Sequence, residues 1–193
     1  GGGTFNETGT PLALTALTGT SGDDILVGSA SGETIDGLDG ADIVYARAGD
    51  DTIHGGAGGD ILFGQTGDDN INGDDGADSI YGGSGNDTLH GNLNADTLYG
   101  GAGSDSISGA EGNDLIIGGY GADTLTGGSG DDTFQYLYSS DTGDTIADFK
   151  AIADAAPLGE VDKIDLSALD ADVTIVGDDP FTFQAVSTSS VLA

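Results

Sequence analysis

The chain has 193 residues, of which 34 are acidic and only 3 are lysine or arginine, so its net charge is −31. Such a charge argues against nucleic acids and anionic membrane surfaces as partners, because both are themselves negatively charged. Cysteine is absent, which excludes a disulfide framework, and no apolar run reaches the length of a transmembrane span.

Residues 1–18 precede the repetitive part of the chain. They begin with Gly1, Gly2 and Gly3 and continue with a stretch rich in Thr, Leu and Ala. We interpret them as a linker from an upstream domain followed by a lead-in strand. This strand would cap the first coil, because an uncovered end exposes strand edges and core. The chain lacks an initiating Met and a signal-peptide pattern, so we expect a fragment or a processed protein.

A nonapeptide repeats thirteen times between Gly19 and Gln135 without insertion or deletion. Within each copy, position four is Gly except at Ser31 and Asn94, and position six is always acidic. A disordered acidic tail would not keep an apolar residue at every ninth position. Position eight is apolar in all copies: Leu26, Ile35, Val44, Ile53, Leu62, Ile71, Ile80, Leu89, Leu98, Ile107, Ile116, Leu125 and Phe134.

The pattern resembles that of the repeats-in-toxin calcium-binding proteins, most clearly in Gly82–His90, which reads Gly-Gly-Ser-Gly-Asn-Asp-Thr-Leu-His. The resemblance implies an all-β fold, a right-handed parallel β-roll in which two copies complete one coil. In each copy the first six residues would form a turn and the last three a short strand. The expected domains are residues 1–18 as linker and N-terminal cap, 19–135 as the thirteen-repeat roll, and 136–193 as a C-terminal β capping segment.

The spacing within a copy also suits calcium chemically. Glycine at positions one and four permits left-handed or extended backbone, so that carbonyl oxygens can face into the turn, and Asn94 is the most tolerable replacement. The acid at position six adds a hard oxygen ligand, and sites of six to eight oxygens select Ca²⁺. One turn supplies too few ligands, which predicts that each ion lies between stacked turns.

Two copies per coil place every second acid on the same side of the roll. The gaps between neighbouring acids number six in one column and five in the other, an upper bound of eleven inter-turn calcium ions. We expect fewer, since Glu33, the Ala46–Arg47 start and the Leu93–Asn94 copy depart from the pattern. The predicted metal ligands are Asp24, Asp42, Asp60, Asp78, Asp96, Asp114 and Asp132 in one column and Glu33, Asp51, Asp69, Asp87, Asp105 and Asp123 in the other.

Charge repulsion within each column predicts a calcium requirement for folding. Stacked strands lie ~4.8 Å apart, so neighbouring carboxylates repel by about 3 kcal/mol at an effective dielectric of ~20. We therefore hypothesise that residues 19–135 are disordered without calcium and fold when calcium binds at millimolar concentration.

Positions seven and nine flank the inward residue and must point outward. In odd-numbered copies, ten of these fourteen residues are aliphatic or aromatic, whereas in even-numbered copies none is. We name the two predicted sheets the apolar sheet and the polar sheet. An apolar face of this size usually marks a docking surface, so we predict that another part of the chain, an upstream domain or a second copy covers it. Its outward residues are Ile25, Ile43, Ile61, Ser79, Thr97, Leu115 and Thr133, with Val27, Tyr45, Phe63, Tyr81, Tyr99, Ile117 and Gln135.

Two rival functions remain open at this point. One is the carbohydrate-binding part of a polysaccharide-modifying enzyme, in which the polar sheet with His54 and His90 lies along a sugar chain. The other is a structural adhesin or surface-layer segment that self-associates through the apolar sheet. The two histidines would lie two coils or ~10 Å apart, too far to share a metal ion. No catalytic constellation is found, so the chain itself is predicted to be non-catalytic.

Residues 136–193 lose the nine-residue period. Asp144–Phe149 and Val161–Leu169 resemble the segment that follows the repeats in serralysin-type metalloproteases and in the modules of mannuronan epimerases. The sequence departs from that pattern by an extra stretch, 151–160, which we expect to be a loop. The apolar residues expected to cover the last coil are Ile146, Phe149, Ile164, Leu166 and Leu169. The acids that would either bind another ion or lie solvated beside the cap are Asp144, Asp148 and Asp162.

The tail Pro180–Ala193 resembles the end of such proteins, and family members leave the cell unfolded through a type I secretion channel by means of a C-terminal signal. Extracellular calcium modules bind at ~10⁻⁴–10⁻³ M, which suits a chain that stays unfolded in the cytoplasm and folds outside. The sequence thus predicts a calcium-binding module of a secreted bacterial protein, located outside the cell or at its surface.

Overall fold

A computed structural model describes residues 15–137, 143–150 and 160–167. These residues form an all-β solenoid of about seven turns, which confirms the predicted parallel β-roll. None of them belongs to a helix long and apolar enough to cross a membrane. The expectations for residues 1–14, for most of the 151–160 loop, for Leu169 and for the Pro180–Ala193 tail lie outside the described residues.

Two parallel sheets of eight strands each form the walls of the described roll, and successive strands alternate between them. The polar sheet contains β1 Ala16–Thr18, β3 Thr34–Asp39, β5 Thr52–Ala57, β7 Asn70–Asp75, β9 Thr88–Leu93, β11 Ser106–Glu111, β13 Thr124–Ser129 and β15 Thr145–Ile146. The apolar sheet contains β2 Ile25–Val27, β4 Ile43–Ala48, β6 Ile61–Thr66, β8 Ser79–Ser84, β10 Thr97–Ala102, β12 Leu115–Tyr120, β14 Thr133–Gln135 and β16 Lys163–Asp165.

The central strands are longer than the family pattern implied. Each has six residues rather than three, as in β4, Ile43–Ala48. The strand begins at position seven and continues through position three of the next copy, because parallel pairing resumes beyond position one, for example between Ala48 and Thr66. The turn is therefore reduced to positions four to six, and the acid is its last residue.

The core consists of two ladders of side chains, one from each sheet, which face each other between the sheets. All thirteen position-eight residues are buried, twelve of them almost completely, and Leu26 at the N-terminal end is 8% exposed. Leu17 and Ile146 pack against the two ends of this core. At the C-terminal end, Ile164 lies beside Phe134 in register, and the ring of Phe149 lies 6.2 Å from that of Phe134. Leu166 is 36% exposed, so it covers the last coil less completely than expected.

The glycines at positions one and four are needed for different reasons. Most position-four residues have a positive φ, 136° at Gly58 and 77° at Asn94, whereas Gly22, Ser31 and Gly76 do not. Position-one glycines in the described repeats do not adopt this conformation. Glycine is favoured there because a Cβ would come too close to neighbouring atoms. A Cβ at Gly82 would lie 2.6 Å from the carbonyl oxygen of Gly100 and closer still to Oδ2 of Asp87. A side chain at this position of the copy would therefore collide with the acid of its own turn and with the next coil.

Left-handed backbone at position two was not predicted. Leu38, Arg47 and Ala110 have φ of 79°, 88° and 80°, a conformation uncommon for residues other than glycine. This conformation was not expected because position two varies in residue type. From the third copy onward every position-two residue has a positive φ, whichever residue is there, whereas Thr20 and Ser29 in the first two copies do not.

Substitution of Gly82 by alanine tests the steric role of position one. Because the new methyl group would collide with Asp87 and Gly100, Gly82→Ala is expected to lower the free energy of unfolding by about 1–3 kcal/mol, as overpacking does. Gly22→Ala is the control, since nothing lies within 4 Å of a Cβ there, and its effect should stay within about 0.5 kcal/mol. Chemical unfolding in saturating calcium measures both. Equal effects of the two substitutions would show that position one has room for a side chain.

Candidate metal-binding turns

The position-six acids are placed by the backbone hydrogen bonds between coils. The N–H of position seven donates to the position-six carbonyl of the preceding coil, as from Ile61 to Asp42 at 2.9 Å. This bond fixes the acid at the end of the turn with its side chain directed inward. Twelve of the thirteen acids are buried, with Asp42 1% and Glu33 4% exposed, and only Asp24 at the N-terminal end is partly accessible.

In the acids from Asp42 to Asp132, one carboxylate oxygen accepts a hydrogen bond from the neighbouring coil. Oδ1 of Asp60 accepts a hydrogen bond from the N–H of Asp42 at 2.8 Å, and Oδ1 of Asp78 accepts from Asp60 at 2.8 Å. The same bond recurs along the other column, as from Asp51 to Asp69 at 2.8 Å. The structure thus brings the acids of each column together in the predicted order, each beside the acid eighteen residues away.

The second carboxylate oxygen is buried without a hydrogen-bond partner in most of the central turns. A buried carboxylate oxygen without a donor is unfavourable, and such an atom requires an explanation such as an ion. The acids whose Oδ2 is in this position are Asp42, Asp51, Asp60, Asp69, Asp78, Asp87, Asp96, Asp105, Asp114 and Asp132.

A backbone carbonyl faces the same small space as most of these oxygens. A Cβ built on Gly55 would lie 2.6 Å from the carbonyl oxygen of Gly73, one coil further on, and closer still to Oδ2 of Asp60. The corresponding carbonyl lies 2.9 Å from such a point at Gly73. A carboxylate oxygen and a carbonyl oxygen from adjacent coils therefore converge beside position one, and both are the hard donors that calcium prefers.

Side chains alone do not complete a site. Across the parts of the chain that the structure describes, no group of three or more His, Asp or Glu residues is arranged to hold a metal ion. The remaining ligands would be backbone carbonyls of the turn. In the coils between Gly37 and Ser129, the carbonyls of positions four and five take no part in the backbone hydrogen bonds that join neighbouring turns. The donor set that fits is therefore one carboxylate per turn plus carbonyl oxygens.

The electrostatics of the columns disfavour the charged carboxylates. Burial, together with the charges of neighbouring acids, raises the pKa of Asp69, Asp78 and Asp114 to about 6. A backbone hydrogen bond to each carboxylate acts in the opposite direction. Burial likewise raises the pKa of Asp96 and Asp105 to about 7. A divalent cation between the turns would reverse this effect, because it stabilises the charged form.

The N-terminal acids differ from the central ones. Oδ2 of Asp24 accepts hydrogen bonds from the N–H of Thr20 at 2.6 Å and from its hydroxyl at 2.8 Å. The carboxylate of Glu33 accepts from the N–H of Ser29 at 2.9 Å and from its hydroxyl. The role of Thr20 and Ser29 as donors to these acids was not predicted from the sequence. Both are hydroxyl residues at position two, four residues before the acid. The first two acids thus have partners within the chain.

The C-terminal flank extends both columns by one acid. Oδ1 of Asp144 accepts from the N–H of Asp123 at 3.0 Å, and Oδ1 of Asp162 accepts from that of Asp132 at 3.2 Å. Asp148 has a different place, since its carboxylate accepts the N–H groups at positions one and two of the last copy at 2.9 and 2.8 Å. In the sequence, Asp144 and Asp162 each stand two residues before an apolar strand residue, which is the spacing of positions six and eight in the repeats.

A second, exposed ladder of side chains lies at position five and was not foreseen. Oδ1 of Asp68 accepts from the N–H of Asn86 at 2.7 Å, and Oδ1 of Asn86 accepts from Ser104 at 2.9 Å. These side chains reach toward the N–H of the following coil, whereas the position-six acids accept from the preceding one. Position five therefore helps to join coils without burying charge.

The outward faces of the two sheets differ as expected. On the apolar sheet, the rings of Tyr45 and Phe63 stack at 5.0 Å and those of Phe63 and Tyr81 at 4.9 Å, and Tyr99 follows at 6.5 Å from Tyr81. Ile25 at the N-terminal end is 70% exposed. On the polar sheet, Asn72 lies between His54 and His90 in register, which confirms their separation by two coils. Nδ1 of His54 lies 3.3 Å from Oδ2 of Asp74.

Comparison with protein-family models identifies the repeats. The model described as RTX calcium-binding nonapeptide repeat (4 copies) matches residues 18–53, 28–62, 54–89, 63–98 and 99–134. The chain belongs to the RTX calcium-binding repeat family. No curated protein has significant similarity to it. RTX repeats bind calcium, and the chain is therefore a calcium-binding module of RTX type.

The raised pKa values of the RTX acids predict an unusual pH dependence without metal. Aspartate has a pKa of about 3.9 when unfolded, so the folded, metal-free roll binds more protons between about pH 4 and pH 7. Its stability is therefore greatest at the acidic end and is lost as pH rises through the raised values near 6 and 7. In metal-stripped buffer, circular dichroism should show more β-structure at about pH 5 than at pH 8. Calcium at pH 8 should restore the signal. A metal-free signal that is stronger at pH 8 would contradict the electrostatic account.

Proposed function

We propose that this RTX module folds when calcium binds between its coils, with the thirteen position-six acids as ligands. The observation that supports it best is the repeated buried Oδ2 that has no hydrogen-bond donor. Most of these atoms face a carbonyl oxygen of the next coil across a space that a methyl group would fill, as Asp60 does beside Gly55. A cation that prefers oxygen ligands suits this arrangement. A flexible set of carboxylate and carbonyl oxygens is typical of calcium sites rather than magnesium sites.

The number of ions follows from the gaps between successive acids. Within the thirteen repeats the upper bound remains eleven, and Asp144 and Asp162 add one gap to each column. The chain donors on Asp24 and Glu33 reduce the need for a cation at the N-terminal end. We therefore place the strongest sites between the central turns, from Asp42 to Asp114.

Calcium binding of this kind suits a protein that is secreted unfolded. Low calcium would leave the buried columns uncompensated and the chain unfolded, and extracellular calcium would supply the binding free energy as folding free energy. We propose that the module belongs to a protein exported through a type I channel and works outside the cell. In this role the roll, bounded by residues 19–135, is a calcium-folded unit without catalysis of its own, and 136–193 is its C-terminal cap.

Replacement of a central acid by its isosteric amide separates ligand loss from general damage. Asp96→Asn retains Oδ1 as the acceptor for the N–H of Asp78 but replaces the unpartnered Oδ2 by an amide that does not bind cations. At 10 mM calcium, one lost site of Kd ~10⁻⁴–10⁻³ M should reduce the stabilisation by calcium by about 1.5–3 kcal/mol. The metal-free chain should be no less structured than wild type, because one repelling charge is gone. Calcium titration by circular dichroism with chemical unfolding measures both effects.

The matched control is Asp68→Asn. Asp68 is exposed at position five and its Oδ1 accepts from Asn86, so the amide preserves the same bond and removes the same charge. Its calcium response should equal that of wild type within about 0.5 kcal/mol. The proposal fails if wild type is already fully β-structured in the absence of calcium at pH 8, or if the two substitutions weaken the calcium response equally.

We also propose that the apolar sheet pairs with a second copy of the module. Its stacked ring column and the adjoining isoleucines form one strip across several coils, and a twofold axis would place two such strips face to face. With a net charge of −31, two metal-free chains repel each other, whereas bound calcium neutralises much of that charge. Self-association should therefore depend on calcium.

Sedimentation velocity with and without calcium tests this pairing. The double variant Phe63→Ser with Tyr81→Ser should remain monomeric in calcium, because the stacked column is interrupted at its centre. Asn72→Ser with His90→Ser changes the same position nine on the polar sheet and should leave association unchanged. A wild-type module that stays monomeric at about 100 µM in calcium would exclude self-pairing and leave an upstream domain as the occupant of this face.

A further inference from the structure

Asn72 and Gly73 form the one Asn-Gly pair in the sequence. Such a pair is chemically reactive, because the backbone nitrogen of the second residue can attack the side-chain amide carbon of the first. A side chain on the second residue hinders that approach, and glycine has none. Each of the other six asparagines is followed by a residue that carries a side chain. Asn72 is therefore the asparagine with the greatest tendency to lose its amide.

The reaction converts the amide to a carboxylate, consumes one water and releases one ammonia. The nitrogen of Gly73 bonds to Cγ of Asn72, its proton goes to the leaving amide group, and that group departs as ammonia. The product is a five-membered succinimide ring, which water opens at either of its two carbonyl groups. Cleavage of the new bond at Cγ gives aspartate. Cleavage of the original peptide bond gives isoaspartate, in which the main chain runs through Cβ and Cγ and is one carbon longer.

The folded roll holds this pair away from the geometry that the reaction needs. The strand β7 lies between β5 and β9 in the polar sheet, and Asn72 is in register with a histidine on each side. Gly73 is buried. The N–H of a position-one glycine donates to the neighbouring coil, as from Gly28 to the carbonyl of Tyr45 at 2.8 Å. The nitrogen of Gly73 can turn toward the side chain of Asn72 only after the strand has opened locally.

The two products differ in whether the turn can close around them. Aspartate fits, because Asp36 has the same position nine on the same sheet. Isoaspartate does not fit, because the main chain at Gly73 has close neighbours on two sides. A Cβ there would lie 2.9 Å from the carbonyl oxygen of Gly91 and 3.0 Å from Cγ of Asp78. An additional main-chain carbon would push Gly73 against these atoms and disrupt the turn that ends at Asp78.

We infer that Asn72 with Gly73 is a modification site, at which the chain deamidates while it is unfolded and is protected once the roll has formed. The inference rests on the proposed function, because calcium is the condition that folds the roll. Isoaspartate at this site then prevents a central turn from closing. A chain that stays without calcium gradually loses the ability to fold, and the time it has spent unfolded is recorded in one residue.

Peptide mass spectrometry measures the protection directly. The full chain is incubated at pH 8 with calcium or with a chelator, and the loss of the Asn72 amide is followed in time. The loss should be at least about tenfold faster without calcium, since a strand paired on both sides is open for only a small fraction of the time. Asn92 is the control within the same molecule. It is followed by Leu93 and should keep its amide under both conditions.

Refolding after the metal-free incubation tests the effect of the product. Circular dichroism should show that added calcium restores β-structure only in the fraction of chains without isoaspartate, which chromatography of the peptides quantifies. Asn72→Ser, incubated in the same way, should recover its full signal because it cannot form the ring. Freshly prepared Asn72→Asp should have a calcium midpoint within about twofold of wild type, since it carries the added charge without the added carbon.

Equal rates of amide loss in the folded and the unfolded chain would overturn the inference. So would chains with isoaspartate that regain the full signal, fresh Asn72→Asp that fails to fold in calcium, or Asn92 that is lost as fast as Asn72. If the wild-type chain is already folded without calcium, the proposed function fails. Guanidinium chloride at the same pH then supplies the unfolded state, and fast loss in denaturant with slow loss in buffer supports the inference, whereas equal loss overturns it.

Discussion

Two columns of buried carboxylates run the length of the roll, and compensation of their charge is the condition on which the rest of the structure depends. The position-eight residues supply apolar burial, but each sheet contributes only one residue per strand, and they cannot be buried without stacking the acids as well. Each central acid contributes one oxygen to a hydrogen bond between coils, and its other oxygen is buried without a partner. The hydrogen bond of the acid therefore joins the coils, whereas its buried charge opposes their stacking. A cation decides which of the two effects is larger.

The N-terminal end of the roll meets this condition with groups from the chain. Thr20 and Ser29 donate to the first two acids through their backbone N–H and hydroxyl groups. At the other end, Oδ2 of Asp132 is buried without a hydrogen-bond partner, as in the central turns. The demand for a cation therefore begins after the first two acids and extends to the last copy of the roll.

The nonapeptide, together with its resemblance to the RTX family, was sufficient to predict the β-roll. With two copies per coil it also predicted the two acid columns and the contrast between the sheets. Three features were not predictable, since each depends on contacts between coils. Glycine is required at Gly82 by the approach of Asp87 and Gly100 and not by its dihedral angles, whereas another copy has Ala46 at the same position. The left-handed backbone of Leu38 recurs at position two of every later copy, whatever the residue type. The ammonium group of Lys150, which lies beyond the nine-residue register, donates to the carbonyl oxygen of Gly128.

The most direct test of the account is a structure of the module crystallised in about 10 mM calcium, with anomalous diffraction to locate the ions. The account predicts an ion between successive acids throughout the central turns, with Oδ2 of residues such as Asp78 and Asp96 at ~2.3–2.6 Å from it. Central turns in which those oxygens have no metal ligand, in a roll that is nevertheless folded, would contradict it.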